Sequence, residues 1–567
     1  MTDLLVCMED NLCTFSPCIS FVLVGVLGQK LDNGETNRGL FFPYGLMTSA
    51  AKRKGSPCLQ DDNSRSDKKL RYSMPSLPED IWHHIHSLLP LRDAARTACV
   101  SRTFLGFWRC YPNLTITRET LGLVRLEDEK DGMSYETSCD LATKIDHILR
   151  NHSGTGVKAL KLEINDFPVF CTYGDLDRWL HIAVRPGIEK LDLWLRPILS
   201  AVSVYNFPCS LLLNGSGKSL RHLHLSSCTF RPTAGLDCLR SLTSLELYEV
   251  RVTEDDLRCL LSSLVALEEL RLVDCEELIF LKIPSLLQRL SNLVVHDCEN
   301  LEVIESKAPN LSGFEYMGPQ VQLSLGDSLQ DIYINGSGRG WDIVHYAWAK
   351  LPCMVPNLEV LEISTSYLSD TLVVPAGKFL HLRHLFIDGF CRPDYDHFSL
   401  VSFLDACPYL ETFRLFVEHD FMEDELVLGD FSHDLRQMPG HLHSNIKDVQ
   451  ILGFYSTKSI IELTCHILEN ATSLESLTLD TSYTAILCSD SKNGKCLPMN
   501  RDMIMEAHKA LLAVKRYILG KVPSSVELKV VEPCSRCNDL EILVQERKLV
   551  EPAQSESAQE FPLGKNK

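Results

Sequence analysis

The chain has 567 residues, 45% of them hydrophobic, which is more than one core usually supports and points to a small module joined to something large or repetitive. Its formal net charge of −19 argues against general attraction to nucleic-acid phosphates. The 22 cysteines are spread along the chain, several in apolar contexts such as those ending at Cys228, Cys275 and Cys298, which suits buried thiols in a reducing compartment better than a disulfide framework.

Residues 1–46 carry no periodic pattern and are set apart as an N-terminal extension; Met47 is a candidate initiator. The apolar run 21–27 is short and follows Asp3, Glu9 and Asp10 where a signal peptide has a basic region, so secretion is not expected. No apolar stretch is long enough to span a membrane. Residues 47–73 read as a disordered basic linker. Within it, Lys52-Arg53-Lys54 and Lys68-Lys69-Leu70-Arg71 have the look of a nuclear-import signal, so the expected location is nucleus and/or cytoplasm.

A compact helical pattern follows. Ser76-x-x-Glu79 can close a capping box, Pro78 suits a first helical turn, and Ile81, Ile85, Leu88 and Leu89 share a face before Pro90 stops the helix. A second helix over 92–98 and a third ending in Phe107-Trp108 complete a unit that buries little surface alone and needs a partner or a neighbour. His83, His84 and His86 do not converge on one ion and are expected on a solvated or partner-facing surface. A further amphipathic helix over 140–150 turns Leu141, Ile145 and Ile148 or Leu149 inward, in a connector spanning 118–155.

From 156 to 480 the chain repeats itself. The unit L-x-x-L-x-L-x-x-C/N is clean at 220–228 and 267–275 and recurs with its first Leu at 290; weaker copies centre on Leu160, Leu191, Leu245, Phe314, Ile332, Leu361, Leu385, Phe413, Val449 and Leu477. The spacing of the clean copies lies inside the roughly 20–29 residues of a leucine-rich repeat. Each L-x-L makes a short strand with its leucines inward, and only stacking supplies the core. A helix over 501–519, striped by Ile504, Ala507, Leu511, Val514 and Ile518 and stopped by Gly520, with a strand over 526–531, is expected to cap the array.

Other signals are weaker. Gly217-Lys218-Ser219 follows an apolar run, but Leu212 stands where a phosphate loop has glycine and a repeat strand follows instead of a helix, so the segment reads as a turn. Cys534-x-x-Cys537 lacks a second ligand pair, and no nucleophile-base or paired-carboxylate motif is recognisable. No metal, cofactor or catalytic residue is expected.

The stretch SLPEDIWHHIHSLLPLRDAARTACVSRTFLGFW (76–108) resembles the F-box, with Phe104 where many members have Trp. The wider layout is similar to a plant group of F-box proteins with leucine-rich repeats and an FBD-like C-terminal region, through DHILRNHSGTGVKALKLEI (146–164), SIIELTCHILENATSLESLTLD (459–480) and EAHKALLAVKRYILGKVPSSVELKVVEPCSRC (506–537). The expected architecture is therefore α/β: a small three-helix F-box (74–117) followed by a curved leucine-rich repeat solenoid (156–480), an FBD-like cap (481–537) and a tail (538–567). The resemblance implies a non-catalytic substrate-recognition subunit of an SCF-type ubiquitin ligase, binding a Skp-type adaptor and through it a cullin. The adaptor face would comprise Leu77, Pro78, Ile81, Ile85, Leu88, Pro90, Val100 and Trp108. A repeat scaffold or ligand receptor without ligase role is the alternative.

In stacked L-x-L strands the central x points to the concave face. Those positions are His224, Glu246, Arg271, Val294, Glu315, Tyr333, Glu362, Phe386, Arg414, Gln450 and Thr478. Mixed charge and aromatics without a Lys/Arg run favour a protein target over nucleic acid, with Arg271, Tyr333, Phe386 and Arg414 as anchors. Insertions at 335–357 and 416–445 are the competing location.

Overall fold

The computed structural model describes residues 78–121, 135–153, 156–167, 172–197, 204–213, 215–232, 236–336, 343–365, 368, 377–391, 395–419, 435–436, 442–482, 499 and 501–534. The expectations for 1–73, Ser76, Leu77, Cys537 and the tail lie outside them.

Three short helices come first: α1 (Glu79–Ser87), α2 (Leu91–Val100) and α3 (Arg102–Arg109). Pro78 precedes α1 as N-cap without a side-chain hydrogen bond, and Pro90 does the same for α2, so proline φ pre-sets both helix starts. Ser101 caps α3, its Oγ accepting from the Thr103 amide at 3.3 Å. Trp82, Ile85 and Phe107 form a small core of their own, with Phe104 edge-on to Trp82 at 6.0 Å. His86 is buried rather than solvated: its Nε2 donates to the Ala94 carbonyl at 3.2 Å and its ring stacks on Phe104. The same carbonyl, inside α2, also accepts from the Thr97 hydroxyl at 2.8 Å, so the imidazole joins an existing hydrogen-bonded group.

The rest is one parallel ladder of fifteen strands from Asn113–Ile116 to Glu527–Val531. Every expected repeat centre is a register partner of the next: Leu160, Leu191, Leu223, Leu245, Leu270 and Leu293 lead to Phe314, Ile332, Leu361, Leu385, Phe413, Val449 and Leu477. All of them are buried. The ladder begins earlier than the pattern suggested, because Asn113–Ile116 pairs with Ala159–Phe167 from within the stretch assigned to the helical module. It also ends later: Glu527–Val531 is a ladder strand, not a separate cap.

The outer side carries helices where repeats are long, among them α4 (Tyr135–Asn151), α5 (Tyr173–Ala183), α6 (Glu254–Leu261), α7 (Ile343–Met354), α8 (Lys458–Asn470) and α9 (Arg501–Ala513). Three successive short repeats carry strands there instead, Phe280–Ile283, Val303–Ser306 and Gln322–Ser324, which pair as a second small sheet. The last helix widens over Val514–Ile518 and tightens over Leu519–Lys521, running past Gly520, where it was expected to stop. No helix among the described residues is long and apolar enough to cross a membrane.

Strand exits are built alike. Ser227, Glu249, Asp274 and Asp297 take positive φ, and each donates its amide to a carbonyl of the next strand at 2.7–2.9 Å. Those short donations use the left-handed conformation to reach sideways. The residue after three of them, Cys228, Cys275 or Cys298, turns inward and is fully buried. Gly453 repeats the conformation at φ 70°, where a Cβ would lie 2.2 Å from the Val417 carbonyl oxygen.

Module and solenoid share one core. Leu91, Ala94, Trp108 and Tyr111 cluster with Leu114, Leu141, Ile145 and the leucines beyond. Tyr111 is the joint: its hydroxyl donates to the Leu89 carbonyl at 2.6 Å, and its own carbonyl accepts from His152 Nε2 at 2.9 Å.

Candidate functional site

The residues of the expected adaptor set divide between exposed and buried positions. Leu88 is 53% exposed and Val100 71%; Pro78 and Pro90 are also exposed, and Ile81 is half-buried. Ile85 and Trp108 are buried. Ile85 packs inside the small helical core, and Trp108 stacks on Tyr111 at 5.8 Å inside the shared core, because three short helices have room for only one interior layer. Leu105 on α3, outside the expected set, is 39% exposed. Trp82, which the sequence reading left off the apolar face, is buried.

On the other face, all eleven expected central positions fall in a single register row. Lys161 pairs with Asp192, Asp192 with His224, and the row runs on through Glu246, Arg271, Val294, Glu315, Tyr333, Glu362, Phe386, Arg414, Gln450 and Thr478 to Lys529. Because leucines occupy the alternate positions inward, this row faces away from the core. Phe386 and Arg414 are direct partners, with Tyr333 two strands away. Arg271 stands apart, three strands from Tyr333, and pairs with Glu269 at 3.3 Å. Val294 is wholly buried and offers no contact.

Carboxylates crowd the far half of this face. Asp388 is pushed up by burial and then by Glu418, and Asp331 by burial and then by Glu359. In the near half, Glu246 is held low by its hydrogen bond with His224 Nδ1 at 3.3 Å. Here an aromatic group goes beyond the expected list: Trp194 stacks on His224 with centroids 4.0 Å apart, and Tyr248 lies 5.0 Å from His224 and 5.5 Å from Trp194. Trp194 and Tyr248 sit two residues past the central position, on the same face by alternation, and that offset was the available signal.

The competing insertions resolve differently. Of 335–357, residues 343–354 form the outer helix α7, whose Ile343, Ala347, Trp348 and Leu351 are buried. From 416–445, Arg436 is pinned on the outer side: it chelates Asp396 at 2.6 and 2.8 Å and bonds Glu462 of α8 at 2.8 Å, while its guanidinium lies 4.9 Å from the Phe398 ring centroid. Those contacts hold Asp396 well below the usual carboxylate range, the Arg436 hydrogen bond first among the causes. Gly217 sits in a tight turn where a Cβ would meet Cys238 Sγ at 2.7 Å and the Leu212 carbonyl oxygen at 2.8 Å, and Ser219 Oγ accepts from the Gly187 amide. Among the described residues no group of three or more His, Cys, Asp or Glu could hold a metal ion.

A three-helix module fused through a shared core to a leucine-rich solenoid defines the F-box/leucine-rich-repeat class. The F-box domain model matches residues 74–112, and the model described as At1g61320/AtMIF1, LRR domain, matches 148–535. The chain belongs to that At1g61320/AtMIF1-type LRR family and carries an F-box, as do plant F-box/LRR proteins. It is 22% identical to a putative FBD-associated F-box protein, At1g61330, of Arabidopsis thaliana, across 74% of this chain and 94% of that one. A second Arabidopsis relative, the FBD-associated F-box protein At1g66310, is 24% identical across 73% and 91%. Among solved structures, an internalin (InlF) of Listeria monocytogenes is 14% identical and covers 60% of this chain and 88% of its own, at a TM-score of 0.27, too low to carry an argument.

Proposed function

We propose that the chain is the substrate-recognition subunit of an SCF-type (Skp-cullin-F-box) ubiquitin ligase, non-catalytic itself. In this reading it binds a Skp-type adaptor through the F-box, reaches a cullin through that adaptor, and holds a protein target on the row-bearing face of its repeats. One observation supports it above the others: the helical module keeps Leu88 and Val100 uncovered although an extensive core lies next to it. Large apolar side chains left exposed together on a small unit mark a surface for another protein. Pro78, Ile81 and Pro90 belong to that face in this reading, as does Leu77, which lies outside the described residues, while Ile85 and Trp108 are buried. On the target side Phe386 and Arg414, with Tyr333 and Arg271, are the proposed contacts, since aromatic and Arg side chains concentrate binding energy.

Co-purification from cells is the test. Changing Leu77 and Pro78 together to Ala is expected to abolish capture of a Skp-type adaptor while the circular dichroism of the repeats is unchanged; adaptor captured at wild-type level would break the ligase reading and leave the repeat scaffold. Partial nuclear entry is proposed from the basic clusters in 47–73, and a fluorescent reporter carrying that segment should accumulate in nuclei.

A further inference from the structure

Three buried polar atoms without any hydrogen-bond partner lie together on the near half of the target face: Asp192 Oδ1, Trp194 Nε1 and His224 Nε2. Asp192 is 7% exposed and His224 5%, so both are held out of water. They are register partners on adjacent strands, about 4.8 Å apart at the backbone. His224 presents Nδ1 to Glu246, and a carboxylate only accepts, so in the neutral tautomer that this contact selects the proton is on Nδ1 and Nε2 offers a lone pair. Two acceptors therefore stand side by side, with one indole donor beside them. Unsatisfied buried groups cost about 1–3 kcal/mol each, and a native fold retains them where something else completes them.

Charge narrows what completes them. Lys161 lies within 3.4 Å of Glu163, Lys190 within 3.8 Å of the other Asp192 oxygen, and Arg271 within 3.3 Å of Glu269, so these three cations of the near half are already engaged. An anion would meet Asp192 and Glu246. A cation meets two acceptors and aromatic rings, and Lys161 Nζ already rests 5.9 Å from the Trp194 centroid. Lysine offers a point charge, whereas the guanidinium fork presents two parallel N–H groups at a spacing that serves adjacent acceptors and stacks flat on an indole.

We propose that Asp192, Trp194, His224 and Tyr248 form an anchor subsite for an arginine side chain in an extended segment of the protein target; this rests on the reading above that the row-bearing face takes the target. The guanidinium donates to Asp192 Oδ1 and His224 Nε2 and lies against the Trp194 and Tyr248 rings. Trp194 Nε1 donates to a carbonyl of the bound segment. Half-exposed Trp194 turns aside to admit the side chain, a rotamer change of the kind common at interfaces.

The test selects binders from a random-sequence peptide library with the purified full-length chain and follows the winners by tryptophan fluorescence. Arginine is expected at one position, with replacement by lysine weakening binding about tenfold. Asp192→Asn, which keeps shape and removes the charge, should erase the arginine preference, and Trp194→Phe should remove the fluorescence change while leaving weaker binding. Selection of acidic or apolar sequences, an absence of enrichment, or an arginine preference that survives Asp192→Asn but falls with Phe386→Ala and Arg414→Ala overturns the subsite. Adaptor capture measured on the same preparations separates the two claims: its loss in the wild-type chain with arginine selection intact breaks the ligase reading alone.

Discussion

A single imidazole shows how far the chemistry of one residue reaches. His86 donates from Nε2 to Ala94 and is packed among Phe104, Phe107 and Tyr111; burial is the chief cause that pulls its pKa below the usual histidine value, and burial does the same to His152 beneath Tyr111. A histidine whose folded pKa is depressed is protonated more readily in the unfolded chain. Stability at these two sites is thus present above the unfolded value of about 6.5 and is lost as pH falls from there toward the folded values. Hydrogen exchange at about pH 7.5 and about pH 5.5 should show α1, α2 and the Tyr111 joint losing protection on acidification, out of proportion to the central repeats. Equal losses along the chain would remove these histidines from the account. The histidine spacing alone gave no sign of this burial; what decides it is α3 closing over α1 from one side, which draws in Trp82, Ile85 and His86 and leaves Leu88 outside.

At the scale of an element, the outer surface near α8 depends on Arg436. Glu462 is buried in α8; without the Arg436 side chain it keeps the backbone amide of residue 436 at 2.8 Å and, as its cation, Lys458 at 3.9 Å. Arg436→Ala should cost roughly 1–2 kcal/mol in denaturant unfolding, below the value for a fully buried pair because the guanidinium is about half exposed. The same substitution in a Glu462→Gln background should cost less, since no buried charge is then left alone; an undiminished cost would mean that Arg436 acts through packing on Phe398. Elements of this kind divide what the sequence disclosed from what it concealed. Each ladder strand between the first and last was legible, because L-x-L alternation is a local signal; the centres from Leu160 to Leu477 pair in register, and the shift between Ile164 and Phe167 falls after its strand's L-x-L. Asn113–Ile116 escaped notice because its Leu-x-Ile lies directly behind helical sequence, and Arg436 because its partners stand 26 and 40 residues away. On the target face, reading only the central position of each strand recovered His224 but passed over Trp194 and Tyr248, which complete the group around it.

For the whole molecule the decisive fact is the continuous core from Leu91 to the last helix. Trp108→Ala should remove the largest side chain at that joint and cost about 3–5 kcal/mol locally. Hydrogen exchange should then show α1–α3 opening while the ladder from Leu160 onward stays protected; a uniform loss would mean that module and repeats unfold as one unit. The intact joint has a geometric meaning too. Parallel strands advance about 4.8 Å each, and Phe386 lies eight strands beyond Trp194, so the two proposed contact points are roughly 40 Å apart along the arc. Since the helical module and the ladder share one core, a cargo gripped at one proposed point or the other would be presented at a different distance from whatever holds the helical end. On the proposed ligase reading the solenoid would act as a graduated arm, the strand on which a target is seized setting which of its lysines come within reach.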